Sequence, residues 1–187
     1  MGTTSETVIW DGDTMIVLYK HWDGYPDHMI QVFREVADFA SYMAVDQLHW
    51  LSYTEVVASF TITYYGLLSK ELRDKYRWPL NPDFRPCGKT ADFVEFVYVL
   101  DLSKTKTKGR WILKIYEVNP SFWRLSRRKR DSIYRKIVKG SVVPEDHLKQ
   151  VRVEEIPVRP SWAKPEIETL VRELEERLKS LMEALID

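Results

Sequence analysis

His21, Asp23 and His28 fall within one stretch of eight residues, and His49 and Cys87 follow further along the chain. Imidazole, carboxylate and thiol all bind transition metals, and the spacing His21-x-Asp23 would aim two of them to the same side of an extended segment. Convergence would make a metal-dependent hydrolase. The diagnostic spacings are missing, however. There is no cysteine pair, no His-Glu-x-x-His and no carboxylate cluster at a ligand interval, so no metal and no cofactor is expected. Cys87 with His21 as its base is the other catalytic arrangement these residues allow. Pro86-Cys87-Gly88 supplies no helix N-terminus, and only Lys89 lies close in sequence to favour a thiolate, so a buried, unreactive thiol is expected. His21, Asp23, His28 and Cys87 are thus the catalytic candidates, and the balance is against an enzyme.

The segment around them also suits a simpler chemistry. Tyr19-Lys20-His21-Trp22-Asp23-Gly24-Tyr25-Pro26 stands where a strand hands over to a helix, whose first N–H groups and dipole favour anions; Lys20, His21 and His28 would add positive charge. The same residues build a turn and a cap: Asp23-Gly24 turns the chain, Pro26 stiffens it and Asp27 is placed to cap the helix. Turn and cap account for every residue type present, and that is the expected role.

Gly2-Thr3, Ser5, Asp11-Gly12, Tyr19, His21 and Asp23-Gly24-Tyr25-Pro26, with Cys87-Gly88 ahead of a strand at Phe93 to Tyr98, form a recurring set. Over residues 2–118 the chain resembles an uncharacterised group of small bacterial, phage and archaeal proteins. These open on Gly-Thr-Arg-Ser and carry a Tyr-x-(His or Gln)-x-Asp-Gly-Tyr-Pro motif before a helix. Thr4 replaces the arginine, and Asp27-His28-Met29 replaces the Gly-x-Gly that usually follows. The resemblance implies a shared fold unit and no particular reaction.

A second chemistry lies downstream. Arg124, Arg127, Arg128, Lys129, Arg130, Arg135, Lys136 and Lys139 stand against the single acid Asp131. On one helix Arg124, Arg128, Arg135 and Lys139 would share a face opposite Ile133 and Ile137, with Trp123 and Tyr134 nearby for stacking. With Arg127 they are the candidate contacts to nucleic acid or another polyanion. Alternatively this face pairs with the acidic C-terminal helix, within one chain or between subunits. That helix repeats Ile167, Leu174 and Leu181 at one heptad position and Val171, Leu178 and Leu185 at the complementary one. Glu168/Arg172, Glu173/Arg177 and Glu175/Lys179 support it in the favourable order. It follows a proline-rich link, and a homo-oligomer contact is expected. The leading functional expectation is a non-enzymatic interaction or regulatory protein that self-associates through this helix. A nucleic-acid-binding accessory protein using 124–139 comes next, and a hydrolase or transferase at His21 to Asp27 third.

The elements that must position these residues follow from periodicity. Thr7 to Trp10 and Met15 to Tyr19 read as strands joined at Asp11-Gly12-Asp13. Met29/Ile30, Phe33, Val36/Ala37, Ala40 and Met43/Ala44 predict a helix over 27–48. Ser52-Tyr53-Thr54-Glu55 has the form of a capping box opening a second helix that runs to about Tyr76. Three prolines between Trp78 and Gly88 predict an irregular crossing. Phe93 to Leu100 and Trp111 to Val118 form a second hairpin. The expected fold is α+β, with an antiparallel sheet of about four strands, two helices on one face and a C-terminal amphipathic helical extension. The expected organisation is a core at 1–118, a basic helical extension with an edge strand near Val151 to Ile156 and a proline-rich link at 119–160, and the amphipathic helix at 161–187.

Bulk composition excludes several classes. The 187 residues carry zero formal net charge, so no whole-molecule field draws the protein to nucleic acid or anionic lipid, and any such binding must be local. The longest stretch free of charge, Val56 to Ser69, is too short to span a bilayer, and Glu6 stands where a myristoylation signal needs Ser or Thr. No membrane partner is expected. One cysteine and no secretory pattern at the N-terminus predict a reducing, cytoplasmic setting. Scarce Asn and Gln beside abundant Glu, Lys and Arg suggest a thermophilic origin.

Overall fold

A computed structural model describes residues 2–43, 52–59, 61–62, 84–86, 93–143, 145–158 and 176. β1 (Ser5–Trp10) and β2 (Met15–Lys20) form the first hairpin, with Ser5 opposite Lys20 and Trp10 opposite Met15. The Asp11 side chain shapes the turn. Its Oδ1 accepts the N–H groups of Asp13 at 3.0 Å and Thr14 at 2.8 Å, while Gly12 takes φ 106°, which a side chain would strain.

α1 (Pro26–Met43) buries Met29, Ile30, Val32, Phe33, Val36, Ala37 and Ala40, the helical repeat expected from the sequence. It begins at Pro26, a favoured first helical residue, so Asp27 lies in the first turn rather than at the cap. A second helix, α2 (helical at 53–59 and 61–62), opens on the predicted capping box. The Glu55 N–H donates to Ser52 Oγ at 3.1 Å, and the Ser52 N–H donates to Glu55 Oε2 at 2.8 Å. Asp11 reaches this helix too: its Oδ2 accepts the Thr54 N–H at 3.1 Å, and the Thr54 hydroxyl donates to the Thr14 carbonyl at 3.0 Å.

The sheet continues with β3 (Phe84–Pro86), β4 (Phe96–Asp101), β5 (Arg110–Val118) and β6 (Leu148–Pro157), in the order β3-β2-β1-β4-β5-β6. A short helix, α3 (Thr105–Lys108), ends at Gly109 with φ 60° and joins β4 to β5. Five strands have six residues or more, and β3 adds a three-residue edge. The expected four-stranded antiparallel sheet is therefore corrected: the sheet is larger and mixed. β1 and β4 run parallel, with Ser5 beside Phe96 and Trp10 beside Asp101. Each hairpin is local and antiparallel, but the chain between them crosses to the far side of β1, so the second hairpin docks its first strand in the direction of β1. β6 pairs antiparallel with β5 at the sheet edge, spanning the predicted edge strand.

Alternate side chains divide two cores. On one face Ile9, Leu18, Tyr98, Leu100, Trp111 and Leu113 pack against α1 and α2, as expected for the helix pair. On the other, Val8, Tyr19, Val97, Val99 and Tyr116 pack against Phe122 of α4 (Pro120–Trp123) and Tyr134 and Ile137 of α5 (Arg127–Val138). The basic residues expected on one helix are thus divided: Arg124 lies in a turn between α4 and α5, whose Leu125 packs against this second core. Both faces of the sheet are covered, and β1 is buried from Ser5 to Ile9 without alternation.

Candidate functional site

The second face carries the basic stretch, in which eight Lys and Arg fall between Arg124 and Lys139. α5 starts from extended Ser126, whose carbonyl accepts the N–H groups of Lys129 and Arg130, both at 3.0 Å. It stops at Gly140, with φ 77°, where the Gly140 N–H bonds the Ile137 carbonyl at 3.0 Å and the Ser141 N–H bonds the Lys136 carbonyl at 2.9 Å. This is a Schellman ending. The helix itself is twelve residues long, a rod of about 18 Å.

The inward side of α5 meets an acid of the sheet. Glu6 of β1 is fully buried and faces α5. The Tyr134 hydroxyl donates to Glu6 Oε2, and Arg127 Nη1 and Arg130 Nη1 each lie 3.4 Å from Glu6 Oε1. Arg130, fully buried as well, donates through Nη2 to the Trp123 carbonyl at 3.1 Å, and its guanidinium sits 4.8 Å above the Phe122 ring. Arg127 also pairs with Asp131 at 2.7 Å. Burial, reinforced by the Glu6 charge, pushes the Tyr134 phenol well above its ordinary pKa, so it remains the donor.

These contacts sort the basic residues into two sets. Arg127 and Arg130 turn inward and neutralise a buried carboxylate. Arg124, in the turn ahead of α5, and Arg128, Lys129, Arg135, Lys136 and Lys139 are exposed, and no ion pair among the described residues involves any of them. Ser132 is the exposed neutral residue among them. Of the two aromatics expected nearby, Tyr134 is wholly buried and has no face to offer. Trp123 is half-buried; its indole N–H donates to the Val94 carbonyl at 2.7 Å, and its ring meets Phe93 edge to face at 5.3 Å and 72°. Phe93 itself is 67% exposed. No pattern pointed to it, since an aromatic at the head of an apolar strand looks like any strand residue.

The strand–helix junction is built differently. Asp23 takes φ 53°, the Gly24 N–H donates to the Thr3 carbonyl at 2.8 Å, and the buried Tyr98 hydroxyl donates to the Gly24 carbonyl at 2.6 Å. A Cβ on Gly24 would fall 2.8 Å from Ser5 Oγ and 2.9 Å from the Thr3 carbonyl oxygen, so only glycine lets the turn lie this close to β1. His21 Nδ1 is 3.1 Å from the Tyr19 hydroxyl, and its ring meets Trp22 edge-on at 4.7 Å. His28 packs beside Tyr25, with ring centres 5.7 Å apart. Burial, then the nearby Lys20 charge, lowers its pKa below 6.5 despite Asp23 and Glu35. Asp27, exposed, lies 3.4 Å from Arg152.

No family model, curated protein or solved structure matches the chain. His21 and Asp23 lie in the strand–helix turn and His28 in the first turn of α1, and among the described residues no three His, Cys, Asp or Glu side chains group as metal ligands would. Ser121 Oγ lies 2.9 Å from His147 Nδ1, but it donates its proton to the Asp146 carbonyl at 2.5 Å, a contact that fastens the turn before β6 to α4. Cys87 lies outside the described residues, as do Ile167, Val171, Leu174, Leu178, Leu181 and Leu185; within 161–187 only Glu176 is described, helical and exposed. No helix among the described residues is long and apolar enough to cross a membrane.

Proposed function

We propose that this protein is a nucleic-acid-binding accessory protein whose contact surface is the outward side of α5 and the turn before it. One observation carries the reading: buried Glu6 engages Arg127 and Arg130, while Arg124, Arg128, Lys129, Arg135, Lys136 and Lys139 stay exposed and without an ion pair among the described residues. A cationic rod held rigidly on a sheet can neutralise successive phosphates and release their counterions. With zero net charge on the chain, such attraction must come from a local surface of this kind.

Fluorescence-anisotropy titration of labelled oligonucleotides over a salt series tests the reading. The logarithm of affinity should fall linearly with the logarithm of salt, and Arg135→Ala should lower the slope by about 1. The double variant Arg128→Glu/Arg135→Glu should abolish binding with its circular dichroism unchanged, because both side chains are exposed. Absence of salt-sensitive binding to both DNA and RNA would remove the proposal.

A further inference from the structure

Resting on that reading, we infer that the bound strand is single-stranded and that one of its bases stacks on Phe93 at the N-terminal end of the cationic surface. Phe93 is 67% exposed, the most exposed aromatic ring among the described residues. It is also held in place. Its carbonyl accepts the Thr4 hydroxyl, the Thr4 carbonyl accepts the Glu95 N–H at 3.1 Å, and Trp123 supports the ring edge-on at 5.3 Å. Trp123 is itself fixed from two directions, through its indole N–H to Val94 and through its carbonyl to Arg130. The next residue is Arg124, so the ring and the first cation of the stripe share one support.

This pairing decides between forms of nucleic acid. A cationic face alone serves duplex and single strand alike. A fixed aromatic face adds affinity only where a base face is free, and a duplex hides those faces in its stack. Stacking also tolerates any base, so the inferred preference is for strandedness and not for sequence.

The test compares a mixed-sequence single strand with its duplex, using wild type, Phe93→Ala, Phe93→Trp and Arg128→Glu/Arg135→Glu in the full chain. Wild type should prefer the single strand. Phe93→Ala should weaken single-strand binding about tenfold or more while leaving the duplex and the salt slope unchanged, and Phe93→Trp should restore it. A strand carrying 2-aminopurine should lose fluorescence on binding wild type and keep it with Phe93→Ala. Salt-sensitive, α5-dependent binding that is indifferent to Phe93 overturns this inference and leaves the α5 reading standing. Loss of all salt-sensitive binding fells both. Binding to phosphatidylserine vesicles as tight as to the single strand would also overturn the inference, since a lipid surface requires no base.

Discussion

Glu6 is the residue whose role changes most between sequence and structure. In the sequence it is one acid in a strand; in the fold it lies between two arginines and a phenol, out of water. Removing one partner of a buried ion cluster leaves the others charged and uncompensated. Glu6→Gln should therefore cost about 3–5 kcal/mol in urea unfolding, and replacing Glu6 and Arg130 together by apolar residues should recover much of that loss. His28 sets a pH dependence. Its folded pKa lies below 6.5, so as pH drops through 6.5 the unfolded chain takes a proton that the native chain refuses, and stability falls. The urea midpoint should decline from pH 6.5 downward, and His28→Gln should flatten that decline. The cation-rich helix was legible as composition. Which cations face outward was not, because helical phase alone does not reveal that a strand more than a hundred residues away carries the matching acid.

At the scale of elements, Asp11 does two tasks with two oxygens, closing the β1–β2 turn and holding the first turn of α2. Burial is the largest single influence on its carboxyl and acts to raise the pKa, but the N–H groups of Thr14, Thr54 and Asp13, with the Thr54 side chain, together outweigh it and hold the value below 3.8. Stability from this carboxylate is present above pH 3.8 and is lost as pH falls through the lower folded value. Asp11→Ala should lower stability at neutral pH by about 1–2 kcal/mol and remove that part of the acid transition followed by circular dichroism. The hairpin turn and the capping box were readable because each is written in four or five adjacent residues. The parallel contact of β1 with β4 was not, because the residues on either strand pack as well against an antiparallel neighbour, and the path of the intervening chain decides direction.

Across the whole molecule, residues 119–158 bring the sixth strand and the helices of the second layer. A chain ending at Val118 would leave Val8, Val97 and Val99 without Phe122, Tyr134 and Ile137, and Glu6 without its cations. Such a fragment should lack a cooperative thermal transition and should bind a hydrophobic dye, whereas the chain ending at Val158 should melt cooperatively. An independently melting 1–118 fragment would show that the second layer is dispensable. β1 from Ser5 to Ile9 and β4 from Val97 to Leu100 are buried without alternation because the sheet is covered twice; in the sequence the continuous apolar run Phe96 to Leu100 was the sign of this, and the alternation of β5 obscured it.

The central strand β1 leaves the ribosome well before the helix that covers it. Glu6 and Tyr134 are 128 residues apart, so at roughly 5–20 residues per second the β1–β2 hairpin waits about 6–25 s for its covering helix. Throughout that wait one face of the nascent hairpin is unfinished. A carboxylate amid its valines makes that face a poor template for self-adhesion, so the group that later fastens the completed sheet first acts as its gatekeeper during synthesis.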